Sequence, residues 1–106
     1  MGRQSLIEGH RGARTAWVDM IFVPQGRRGR GEGRRLYVDW EAALPADVEM
    51  VLAFAADTEG DGNSDAFWEA MGFSYRYDGD EDGMPYETAH AMVKGVNGHP
   101  NPPPIR

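Results

Sequence analysis

The residues best placed to do chemistry lie between positions 21 and 37, in the run IFVPQGRRGRGEGRRLY. An apolar stretch leads into Gly26, Gly29, Gly31 and Gly33, and a helical pattern begins directly beyond them. Glycines there let consecutive backbone N–H groups turn toward one point. The first turn of the helix adds unpaired donors and partial positive charge. Such a loop cradles an anion, and a phosphate is its natural occupant. Arg27, Arg28, Arg30, Arg34 and Arg35 supply attraction over a longer range. A Walker loop needs a lysine after its last glycine, and no lysine occurs before Lys94, which excludes it. A dinucleotide fingerprint wants a third glycine where Arg34 stands, and it fits poorly. The plain alternative is a basic glycine-rich loop without a ligand.

Other candidate clusters carry less. Asp57, Glu59, Asp61 and Gly62 begin like a calcium loop, but its twelfth position, which must be a bidentate acid, is Trp68. Asp78, Asp80, Asp82 and Gly83 begin another, whose twelfth position is Ala89. Both read as acidic turns, the second able to attract a cationic acceptor. There is no cysteine, so disulfides and thiolate zinc sites are excluded. His10, His90 and His99 are not at ligand spacing, and no metal is expected.

The elements that must position the loop can be read from periodicity. Residues 16–23 are β-branched and aromatic, apolar on both faces except at Asp19, and read as a central strand closed by Pro24. Residues 34–43 put Leu36, Tyr37, Trp40 and Ala43 on one helical face, ended by Leu44 and Pro45. A second strand is expected over 49–55 and a short helix over 66–71, with Gly72 at its C′ position. Residues 73–77 alternate as a half-buried strand, and 88–93 form a last strand antiparallel to it. Ahead of these, residues 5–7 are a short apolar patch before a Gly/Arg turn. Trp17, Phe22, Trp40, Phe54, Phe67, Trp68 and Phe73 read as core.

With 106 residues the chain allows one domain, expected over 1–94, followed by a Pro-rich tail over 95–106 too polar to pack. No apolar run is long enough for a membrane span or a signal segment, so a soluble, cytoplasmic protein is expected. The net charge of −6 is unevenly spread: residues 1–36 carry +5 and residues 37–106 carry −11. The first half suits a phosphate-bearing ligand and the second a cationic partner. The acidic half speaks against nucleic acid as the partner of the arginine loop.

Arg28, Gly29, Arg30, Gly31, Glu32 and Gly33 resemble the signature of the GCN5-related N-acetyltransferases: Arg or Gln, two residues, Gly, one residue, then Gly or Ala, after the fourth strand. Some forty residues on, AFWEAMGF (66–73) is similar to the helix end that accompanies this signature. The resemblance covers about residues 15–94. It lacks most of the family's N-terminal elements, so the chain looks like a minimal member, similar in length and layout to small phage-type acetyltransferases. The fold so implied is an α/β (α+β) arrangement with a mixed, mostly antiparallel sheet, a central splay and two helices after the pyrophosphate loop.

The resemblance also implies an activity: transfer of an acetyl group from acetyl-CoA to a primary amine, on a protein lysine or a small polyamine. The acceptor could belong to a basic protein, and a homodimer is compatible with the chain. The pyrophosphate of coenzyme A would meet the loop at Arg28, Gly29, Arg30, Gly31, Glu32, Gly33 and Arg34. The pantetheine arm would lie along Ile21, Phe22 and Val23, with Asn63 and Trp68 as further cofactor contacts. Family members often use a strand carboxylate as base, here Asp19. The family's acid is often a tyrosine on the second helix, but that position is Trp68, and indole is no acid. Tyr37, Tyr75 or a water would stand in. Two other readings stay open: a non-catalytic acyl-CoA-binding module, and a protein or nucleic-acid binder using the arginine loop alone.

Overall fold

Leu6–Arg11 (β1) and Thr15–Phe22 (β2) form a hairpin whose turn is closed by the Gly12 N–H donating to the Thr15 carbonyl at 2.8 Å. The structure, a computed structural model, describes residues 5–24, 26, 30–54, 65–78, 85 and 89–105. After the hairpin come Glu32–Ala42 (α1), Met50–Phe54 (β3), Asp65–Ala70 (α2), Ser74–Tyr75 (β4) and Ala91–Gly95 (β5). The strands make one mixed sheet in the order β1-β2-β3-β5-β4. Among the described strands β2 and β3 pair in parallel, and the other three pairings are antiparallel. The chain is thus an α+β fold with a five-stranded mixed sheet and two helices among the described residues.

The two helices share one face of the sheet. Ala16 and Val18 of β2, Val51 and Ala53 of β3, and Met92 of β5 form a single buried cluster with Tyr37, Trp68, Met71 and Phe73. Strand residues alternate between faces. Trp17, Leu52 and Val93, which are cross-strand neighbours in register, therefore point to the opposite face. Gly9 makes room for α1: a Cβ there would come within 2.6 Å of the Trp40 ring. The helix α1 is also tied to β5, because Glu41 Oε1 accepts from Lys94 Nζ at 2.7 Å.

Several element bounds differ from the sequence reading. The helix α1 begins at Glu32, so Gly33 is helical, packed 3.3 Å (as a Cβ would sit) from Phe67 on α2. The patch at 5–7 opens a full strand, β1. The strand expected over 73–77 is only two residues long. Tyr77 instead bridges Ile105, and Ile105 exchanges backbone hydrogen bonds with Arg76 and Asp78. The last strand runs to Gly95 and pairs antiparallel with β4, as the alternation predicts. The Pro-rich tail, expected not to pack, lies along β4. Asn101 explains it: its side chain accepts from the Gly95 N–H at 2.8 Å and donates to the Gly72 carbonyl at 2.8 Å. The expected helix end holds, with Gly72 at φ 99 and the Phe73 N–H returning to the Trp68 carbonyl. Among the described residues no helix is long and apolar enough to cross a membrane.

Candidate functional site

Among the described residues the β2–β3 ladder runs from Thr15↔Met50 to Val18↔Ala53. Beyond it β2 continues to Phe22 against β1, while Phe54 of β3 pairs with Ala91 of β5. Ile21, Phe22 and Val23 are half-buried along this extension, and Ile21 packs against the core. The chain then passes through the glycine loop to α1, whose N-cap is Gly31 at φ 75. Only glycine adopts that backbone readily. Among the described residues no side-chain hydrogen bond caps the helix, and nothing lies within 4 Å of where a Cβ at Gly31 would stand. Arg30 and Arg34 are exposed beside this helix start, and Glu32 sits in the first turn. Arg28, Gly29 and Asn63 lie outside the described residues, as does most of each acidic turn.

Asp19 directly follows the last described residue paired with β3, and the ladder to β1 is irregular at the same point. Glu8 pairs with Met20 and Gly9 with Val18, which leaves Asp19 without an opposite residue. Here Asp19 Oδ2 lies 2.7 Å from His10 Nδ1, and the His10 ring stacks on Trp17 with centroids 4.8 Å apart and planes 6° from parallel. The pair is about half exposed. In the sequence His10 stands at no ligand spacing and has no evident partner. Its partnership depends on the hairpin register, which no local pattern announces.

The two candidate tyrosines are placed elsewhere. Tyr37 is 1% exposed, edge-on to Trp68 and Phe73, and its hydroxyl donates to Glu41 Oε1 at 2.8 Å. Burial first, then the Glu41 hydrogen bond and charge, push its pKa far above the ordinary tyrosine value. A phenol so held is a core hydrogen-bond donor and a poor proton source. Tyr75 is on the surface of β4. It shares a cross-strand row with Met92, Ala53 and Val18, three strand spacings or about 14 Å from β2. The structure does not bring it to Asp19. Trp68, read from sequence both as core and as a cofactor contact, is 2% exposed and packs between Tyr37, Phe67 and Phe73.

A groove of about 350 Å³ runs between β1 and the C-terminal end of α1, bordered by Gly9, His10, Arg11, Trp40 and Ala43 to Pro45. It lies at the other end of α1 from Gly31. Among the described residues no three His, Cys, Asp or Glu side chains gather as a metal site requires. No family model and no curated protein sequence matches the chain.

Proposed function

We propose that the protein is an acetyl-CoA-dependent N-acetyltransferase of the GCN5-related kind, acting on a primary amine. The observation that carries this reading is the parallel β2–β3 ladder, whose described pairs end at Val18↔Ala53, with β2 leading on through a glycine loop to a helix capped by Gly31 at positive φ; we read the end of that ladder as a fork. A fork of that form gives an acyl-thioester arm an edge of extended backbone to lie along. The helix start at Gly31 and the arginines beside it suit the diphosphate at the other end of the cofactor. The order of the strands, with one parallel pair amid antiparallel ones, supports the same reading.

In this proposal the pantetheine arm runs along Ile21, Phe22 and Val23, and Gly31, Gly33 and the loop before them receive the pyrophosphate. A backbone N–H at the fork would hold the thioester oxygen as it gains charge. No acid is assigned to Tyr37 or Tyr75, and the departing thiolate takes its proton from the amine or from water.

Two measurements test the reading together. Acetyl-CoA should raise the melting temperature, and release of free thiol should follow when a lysine peptide or a polyamine is added. Gly31→Val should abolish the thermal shift, because it strains the cap and fills the space before the helix start. A wild-type protein whose melting temperature ignores acetyl-CoA would overturn the assignment. A shift without thiol release from any amine would leave a binding module instead.

A further inference from the structure

We propose that His10, oriented by Asp19, is the base that takes the proton from the amine acceptor; this role rests on the acetyltransferase reading above. Asp19 stands two residues beyond Trp17 on β2, on the strand face that carries Trp17 and its cross-strand partner His10. That is the face away from α1 and α2, whose side chains pack with Ala16 and Val18. His10 is then fixed in two ways. Its ring is stacked flat on Trp17, and its Nδ1 is bonded to Asp19 Oδ2 at 2.7 Å. A carboxylate can only accept, so Nδ1 carries the hydrogen and Nε2 of the neutral ring keeps its lone pair. Among the described residues no group engages Nε2, and the half-exposed ring leaves it within reach of an acceptor.

This arrangement makes Asp19 a positioning residue and moves the base one side chain outward. The carboxylate Oδ2 is occupied by the ring, and an imidazole is the better proton acceptor near neutral pH. An ammonium acceptor gives one proton to His10 Nε2, and its freed lone pair attacks the acetyl carbonyl carbon. The adduct collapses with cleavage of the C–S bond. The second proton of the nitrogen goes to the departing thiolate, giving the amide and free coenzyme A, and the imidazolium returns its proton to water. The location suits this, since Asp19 directly follows the last paired residue of the fork.

The test uses the full chain with acetyl-CoA and a lysine peptide. His10→Ala should lower kcat about a hundredfold, with the KM for acetyl-CoA changed little, and added imidazole should restore part of the loss. His10→Phe keeps a flat ring on Trp17 but has no nitrogen; it should be equally slow while folding normally. Asp19→Asn should also lower kcat, and nitrogen NMR should show His10 losing its single tautomer, a change that a purely structural carboxylate would not produce. Undiminished kcat in His10→Phe would overturn the proposal, and if Asp19→Ala then fails, Asp19 is itself the base. A wild-type protein that binds acetyl-CoA yet acetylates no amine overturns the base and leaves the cofactor site standing. One that does not bind acetyl-CoA overturns the acetyltransferase reading as a whole.

Discussion

At Tyr37 three influences act on one hydroxyl in the same direction. Burial disfavours the phenolate most, and the hydrogen bond to Glu41 and that carboxylate's charge add to it. The pKa is therefore raised above the ordinary 10.0. The unfolded chain releases this proton first as pH rises, so the stabilisation is complete below about pH 10 and declines above it. The slope for one proton is about 1.4 kcal/mol per pH unit. Denaturant midpoints measured from about pH 9 to about pH 11 should fall accordingly, and Tyr37→Phe should flatten that part of the fall. An undiminished fall in Tyr37→Phe would mean that other groups drive the alkaline loss. Among single residues, the core character of Trp68 was legible because it sits at helical spacing beside Phe67 and Met71. The occupation of Tyr37 was legible only in part: Glu41 stands at i, i+4 on the same helix, but the pair's burial against Lys94 shows only once α1 is placed on β5.

Elements were legible where periodicity is strong. Residues of β2 are apolar on both faces, and α1 shows Leu36, Tyr37 and Trp40 at helical spacing, so both were found within two residues. The strand β1 was seen only as a patch, because Glu8, Gly9 and His10 interrupt it and Gly9 is there to admit Trp40 rather than to turn the chain. The course of the tail was illegible for a different reason. Its course is held by contacts between positions distant in sequence: the Asn101 side chain is bonded to backbone groups at Gly95 and Gly72, and Ile105 exchanges backbone bonds with Arg76 and Asp78. Asn101→Ala should therefore cost about 1–3 kcal/mol in denaturant unfolding. Gly95→Ala should do similar harm by another route, since its Cβ would run into the carbonyl oxygens of His99 and Pro100. Amide exchange at Ile105 should speed up in both variants. Protection of Ile105 unchanged in Asn101→Ala would show that the backbone bonds with Arg76 and Asp78 hold the segment alone.

On the scale of the whole molecule, charge is what the sequence made plainest: +5 on residues 1–36 and −11 on the rest. In the fold the positive part forms the hairpin and the start of α1, with Arg30, Arg34 and Arg35 exposed near Gly31. A polyanionic cofactor approaching that end is attracted locally and repelled by the molecule's net charge of −6. Salt should separate these contributions by range. At about 0.1 M salt the screening length is about 10 Å, so repulsion from distant acids fades before attraction to arginines in contact does. At a hundred times Kd, acetyl-CoA should stabilise the fold by about 2.7 kcal/mol, on the order of 10 °C in melting temperature for a domain of this size. Raising salt from about 0.05 M to about 0.5 M should then weaken binding, because contact attraction at the arginines outweighs diffuse repulsion. Arg30→Glu with Arg34→Glu should weaken binding further while leaving the ligand-free melting temperature nearly unchanged, as both side chains belong to exposed residues. It should also flatten the salt dependence, or reverse it, because little local attraction is left to screen. A melting shift identical in the double variant and the wild type at low salt would mean that the cofactor's phosphates are held somewhere other than the start of α1.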